Sequence, residues 1–180
     1  GDQTGGCDPL TVEFSDTSIS PNPSNPINSW EWDFGNGNTF SGQNPPEQLY
    51  NIGLYDVSLI ASTASGCTGA VSLSDYISVG ELLSIDLSVD TTENCVKQDF
   101  QFSSFIETNP SNPDSSEISY FWDFTDGSAT DANPTHQFTS DTGFFDVSLV
   151  VNYRGCLDSI QLDSLVYINA PISKFEPDNT

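Results

Sequence analysis

Apolar and polar residues alternate along most of this chain, a period of two that predicts strands rather than helices. Tyr55, Val57, Leu59 and Ala61 share one face, while Asp56, Ser58 and Ser62 take the other. Further on, Phe145, Val147, Leu149, Val151 and Tyr153 repeat the pattern. Trp30, Trp32 and Phe34 lie on one face, as do Tyr120, Trp122 and Phe124. Leu10, Val12 and Phe14 predict a shorter strand, matched by Phe100 and Phe102. Closing strands are expected through Val71, Leu73, Ile77 and Val79, and again through Ile160, Leu162, Val166 and Ile168. No stretch carries a convincing helical period. Short alternating strands separated by turn residues predict an all-β chain of antiparallel sandwiches.

These blocks come in two sets. Trp30-Glu31-Trp32-Asp33-Phe34-Gly35-Asn36-Gly37 returns as Tyr120-Phe121-Trp122-Asp123-Phe124-Thr125-Asp126-Gly127. Asn22-Pro23-Ser24-Asn25-Pro26 returns as Asn109-Pro110-Ser111-Asn112-Pro113, the block from Gly53 to Leu59 as that from Gly143 to Leu149, and Gly66-Cys67 as Gly155-Cys156. A near-constant offset of roughly 90 residues through four blocks means a duplicated domain. The expected divisions are residues 1–80, 81–170 and 171–180. The copies are out of phase with the ends. Leu83, Ile85, Leu87 and Val89 predict an opening strand ahead of Cys95, whereas only Gly1 to Gly6 precede Cys7. Beyond the second copy, Pro171-Ile172-Ser173-Lys174-Phe175-Glu176 reads as the opening strand of a following repeat or as a donor strand, with Ile172 and Phe175 as its apolar residues. One first strand is missing and one is surplus.

Charge narrows the surroundings. Twenty-six acidic residues face three basic ones, Lys97, Arg154 and Lys174, for a net charge of −23. Such a surface repels nucleic acid and anionic lipid, so neither is an expected partner, while divalent cations and a salty exterior suit it. Twelve Phe, six Tyr and three Trp supply core material that disordered acidic chains lack. No apolar run is long enough to span a bilayer, and no basic-then-apolar leader opens the chain. A sequence without Met that starts at Gly1-Asp2-Gln3 reads as a processed or excised piece.

The residues now described resemble the PKD (polycystic kidney disease) domain family, whose hallmark runs roughly W-x-F-G-D-G, then N-P-x-H-x-Y, then G-x-Y-x-V-x-L. Trp32 to Gly37 and Trp122 to Gly127 carry the first motif. Asn44-Pro45 through Tyr50 and Asn133 through Phe138 carry the second, and the Gly53 and Gly143 blocks the third. Three motifs occur in order, twice, over nearly the whole chain. The cysteine placement and low lysine content are similar to repeat arrays in large secreted proteins and surface adhesins of Bacteroidetes. This resemblance implies extracellular immunoglobulin-like sandwiches that act as spacers or binding modules and not as enzymes, and the short junction between the two tandem copies implies that they stack end to end. Asn36 stands where the family usually has Asp, and Thr125 where it usually has Gly. The acidic loop of calcium-binding relatives is replaced by Asn-Pro-Ser-Asn-Pro in both copies, so no calcium site is carried over and no cofactor is assigned.

Individual side chains point the same way. Trp32, Phe34, Trp122 and Phe124 are expected core residues, and Trp30, nearer its strand end, is expected to be partly exposed. Asp33 and Asp123 suit carboxylates that accept turn N–H bonds better than metal ligands. Asp126 beside Gly127 favours a turn. His136, the sole histidine, has Gln48 or Glu47 as its counterpart in the other copy, and no nucleophile motif or orienting context in the sequence supports a catalytic triad.

Cys7, Cys67, Cys95 and Cys156 allow three pairings. Modularity suggests Cys7–Cys67 with Cys95–Cys156. In an immunoglobulin-like sandwich, however, the cysteine before the second strand and the turn before the last strand lie at opposite ends. Stacking the copies resolves this by pairing Cys7 with Cys156 and leaving Cys67 and Cys95 for neighbouring units. Both schemes stand at this point, with the inter-repeat one preferred. The Val79-Gly80-Glu81-Leu82 junction is expected to be a short linker that docks the copies directly. The functional expectation is an extracellular spacer of an adhesin or secreted multi-repeat protein. Its partners would be neighbouring repeats, other copies of the chain, or an unidentified surface glycan or protein. Alternatives are a filament subunit joined head to tail by β-strand addition, and a glycan-binding module.

Overall fold

The computed structural model describes residues 4–111, 113–139 and 142–169. The segment carrying Ile172 and Phe175 lies outside the described residues. In the first repeat the strands are β1 (Gly5–Cys7), β2 (Leu10–Val12), β3 (Ile27–Asp33), β4 (Thr39–Ser41), β5 (Gln48–Tyr50), β6 (Gly53–Thr63) and β7 (Thr68–Val89). The second repeat supplies β8 (Glu93–Cys95), β9 (Asp99–Asn109), β10 (Ile118–Asp123), β11 (Ser128–Ala129), β12 (Thr135–Gln137), β13 (Gly143–Tyr153) and β14 (Cys156–Asn169). A 3₁₀ turn at Ser115–Glu117 is capped by Asp114.

The chain divides into two compact units. The first comprises Gly1–Leu83, Glu107–Ile118 and Asn152–Leu157, and the second Ser84–Ile106, Ser119–Val151 and Asp158–Thr180. In the first unit, β3 pairs antiparallel with β4 and β6, β6 pairs antiparallel with β7, and β1 pairs parallel with β7. The opposing layer is β2 with β5. In the second unit one layer runs β11-β10-β13-β14-β8, and the other places β9 between β12 and the last part of β7.

Alternation decides what is buried. Val57 and Leu59 on β6 meet Trp32 and Phe34 beneath Leu10, Val12 and Tyr50 of the facing layer. Trp32 and Phe34 lie 5.9 Å apart and stacked. The second core repeats this, with Trp122 and Phe124 stacked at 6.0 Å and Val147, Leu149 and Val151 fully buried. Burying one large aromatic side chain contributes on the order of 2–3 kcal/mol, so these pairs anchor each core.

The expected junction linker is absent. Val79 to Leu82 lie inside β7, which closes the first repeat and continues as the opening strand of the second. Gly80 is the physical reason. It pairs with Cys7, and a Cβ there would lie 2.7 Å from the Tyr153 ring, so a glycine lets the strand pass without turning.

Candidate functional site

One cluster within the first unit draws residues from both repeats. On β1, Gly5, Gly6 and Cys7 pair with Ser78, Val79 and Gly80 of β7. The amide of Ser78 donates to the Thr4 carbonyl at 2.8 Å, and that of Asp8 to the Gly80 carbonyl at 3.0 Å. Gly6 also forms a parallel bridge with Gly155. There Cys7 is joined to Cys156 by a disulfide with a Cα separation of 4.3 Å. Gly155 sits at φ +84, and a Cβ on it would meet Gly5 backbone at 2.5 Å. The glycines are needed for this close approach of two backbones. Arg154 reinforces the corner: its guanidinium lies 2.6 Å from the Glu117 carboxylate and 5.2 Å from the Tyr153 ring centroid. Burial pushes the Tyr153 phenol above its ordinary pKa, with the charge of Arg154 opposing. The Asn109 amide donates to Glu81 at 3.1 Å.

A second feature of the first unit is an unpaired edge. β2 pairs with β5 on one side only among the described residues, whereas its counterpart β9 lies between two strands. Between residues 18–27 and the β6–β7 hairpin runs a groove of about 570 Å³ lined by Ile19, Ile27, Leu59, Ala61, Cys67 and Val71. Ile19 is 87% exposed and Val71 49%. The thiols of Cys67 and Cys95 are exposed and outside any disulfide.

The aromatic and acidic residues of the motifs have structural duties. Trp32 and Trp122 are buried, and their indole N–H groups donate to the carbonyls of Gly42 at 3.0 Å and Asp131 at 2.9 Å. Trp30 is half-buried and donates to Asp16 at 2.7 Å. Burial raises the Asp16 carboxyl, but hydrogen bonds from Ser18, Trp30 and Gln43 outweigh it and hold the group below the usual carboxylate range. Asp33 and Asp123 accept from the amides of Gly35 at 2.9 Å and Thr125 at 2.8 Å. Tyr50 donates to the Phe34 carbonyl at 3.0 Å, and burial pushes its phenol up to about 12.

His136 differs from the expectation of a histidine without an orienting partner. Its Nε2 lies 2.6 Å from Asp126 Oδ1, the other carboxylate oxygen accepts from the Thr139 amide at 3.1 Å, and the ring stacks 4.2 Å from Phe124. In the first repeat Gln48 occupies this place and accepts from Asn38 at 3.0 Å. The duty is therefore structural: a polar pair ties one turn to the neighbouring strand. Sequence reasoning missed the pair because histidine and carboxylate belong to separate motifs. The second and first motifs both contain one of its members, which was the available signal. Among the described residues no group of three or more His, Cys, Asp or Glu could hold a metal ion.

Paired antiparallel layers around a tryptophan-centred core define the immunoglobulin-like class of sandwich. Matches to the PKD domain model cover residues 1–79 and 86–165, and the chain belongs to the PKD domain family. Among solved structures it is similar to murine CEACAM1b, at 9% identity over 83% of this chain and 89% of that one, with a TM-score of 0.49. It is also similar to the amphioxus IgVJ-C2 molecule, at 14% identity over 90% of this chain and 97% of that one, with a TM-score of 0.38. A third likeness is to three N-terminal domains of the bacteriophage RB49 highly immunogenic outer capsid protein, at 11% identity and a TM-score of 0.41. There the alignment covers 91% of this chain and spans 55% of the phage structure.

Proposed function

We propose that this pair of PKD domains is a spacer segment of an extracellular multi-repeat protein, an adhesin stalk that holds a distal binding element away from the cell. The observation carrying this reading is the Cys7–Cys156 disulfide, which ties the start of one repeat to the last hairpin of the other. A covalent bond between repeats resists their separation under load, and disulfides persist in oxidising compartments outside the cytosol. The acidic surface suits such surroundings. The work is mechanical, and no catalytic role is assigned. Labelling intact native cells with a membrane-impermeant reagent tests the reading. The chain should be labelled, and external protease should release it; labelling only after lysis would contradict the proposal.

A second reading, head-to-tail assembly by strand addition, is favoured by one observation: among the described residues β2 carries a partner on one side only.

A further inference from the structure

We infer that the unpaired edge of β2 and the groove between residues 18–27 and the β6–β7 hairpin form a strand acceptor, that its occupant is residues 170–176 of a second copy of this chain, and that the junction is sealed by a disulfide from Cys67 to Cys95 of that copy. This rests on the head-to-tail reading and specifies its partner and chemistry.

The two repeats supply the comparison. β9 is eleven residues long and has a neighbour on each side; its counterpart β2 is three residues long, and residues 13–20 carry no strand although residues 103–109 do. The missing neighbour corresponds to the last part of β7, where Leu87 is 4% exposed and Asp90 donates its amide to the Gln101 carbonyl at 3.0 Å. Exposure follows. Val151 and Tyr153 are fully buried, while their counterparts Ala61 and Thr63 are half-buried. Ile160 and Leu162 are half-buried, while Val71 and Leu73 are 49% and 42% exposed. An alternating strand laid along β2 would cover this face and satisfy its unpaired backbone groups.

The cysteines select the donor. Cys7 pairs with Gly80 across β1 and β7, just before the chain enters the opening strand of the second repeat. Cys7 then bonds Cys156, in the last hairpin of that same repeat. In the second repeat Cys95 pairs with Asn169 across β8 and β14, just before residues 170–176. Phe175 lies 80 residues beyond Cys95, as Leu87 lies 80 beyond Cys7, and takes the place of the buried leucine with a one-residue register shift, because Asn169 pairs with Cys95 one position later than Gly80 pairs with Cys7. The repeat receiving that strand should therefore offer its own last-hairpin cysteine to Cys95. In the first repeat this residue is Cys67, which is exposed and lines the groove. The adjoining turn matches: Gly66 at φ +86 has nothing within 4 Å of a Cβ, whereas Gly155 at φ +84 is covered by Gly5. Side-chain size is exchanged as well, since Tyr153 against Gly80 becomes Thr63 against Asn169. Glu93 stands where Gly5 does, so the receiving turn must shift slightly to admit its Cβ.

The seal balances as thiol–disulfide exchange with a small-molecule disulfide such as oxidised glutathione. The Cys67 thiolate attacks it and releases one small thiol. Cys95 of the second copy then attacks the mixed disulfide and releases the other, and the two protein protons leave with those thiols.

The experiment incubates the full chain in a mixed oxidised and reduced glutathione buffer, followed by light scattering and non-reducing peptide mapping. Head-to-tail oligomers crosslinked Cys67–Cys95 are expected. Phe175→Asp on the donor, and separately Val71→Asp on the exposed groove wall, should each lower the crosslinked fraction by about tenfold or more, the loss of one buried apolar anchor. Cys7–Cys156 should still form in both variants, which shows that they fold. Oligomers that persist undiminished through Phe175→Asp overturn the donor assigned here while leaving head-to-tail assembly standing. Symmetric Cys67–Cys67 or Cys95–Cys95 crosslinks overturn the junction. A chain that stays monomeric overturns both this inference and the strand-addition reading, but not the spacer reading.

Discussion

Trp122 shows most clearly what one residue does here. It is fully buried, stacked on Phe124, and its indole donates to a carbonyl. Trp122→Ala should cost about 3–5 kcal/mol in a denaturant titration, the usual loss for deleting a buried large aromatic. Asp123→Asn should cost under about 1 kcal/mol, because an amide oxygen can still accept the Thr125 bond. Tyr50 gives a pH signature. An unfolded tyrosine ionises near 10, whereas burial, aided by the charges of Tyr55 and Asp33, defers Tyr50 to about 12. Between those values the unfolded chain has lost a proton that the folded chain keeps, so stability falls with rising pH. Its contribution is whole below pH 10 and is lost by about 12. Melting followed by circular dichroism should show this decline, and Tyr50→Phe should make it shallower. The core duties of both tryptophans could be read from alternation alone. The His136–Asp126 pair could not, because the two residues meet only once the turn after β10 folds against β12.

Among the elements, the two last-hairpin turns form an internal control. Gly66 and Gly155 share a left-handed backbone, yet only Gly155 is packed against another chain segment. Gly66→Ala should cost about 1–2 kcal/mol from conformation alone. Gly155→Ala should cost clearly more, since its Cβ would overlap Gly5, and it should slow closure of the Cys7–Cys156 bond. Equal losses in paired thermal melts would mean that the β1 contact contributes nothing. Strand identities were largely readable at this scale because polar and apolar positions alternate. The continuity of β7 was not. Val79 to Leu82 read as a short linker in sequence, and only the pairing and packing of Gly80 reveal an uninterrupted strand. The same limit hid the parallel pairing of β1 with β7 and of β8 with β14, since β1 and β8 are too short and polar to show alternation.

For the whole molecule, charge and the disulfide act in opposite directions. A net charge of −23 repels itself and disfavours the compact state. Screening should relieve this, so the melting temperature should rise when salt is raised from about 10 mM toward about 0.5 M, where the Debye length shrinks several-fold. A flat or falling profile would show that the charges are already compensated. The Cys7–Cys156 bond closes a span of 149 residues. In the chain-entropy model such a loop is worth about 5 kcal/mol. Duplication, family and sandwich class were all legible from the repeated motifs. Strand direction also favoured the inter-repeat pairing, although modularity argued for the other. The most direct test of the account is non-reducing peptide mapping of the oxidised, folded chain. A Cys7–Cys156 crosslinked peptide is the predicted result. Recovery of Cys7–Cys67 and Cys95–Cys156 instead would contradict the covalent joining of the repeats and the spacer role built on it.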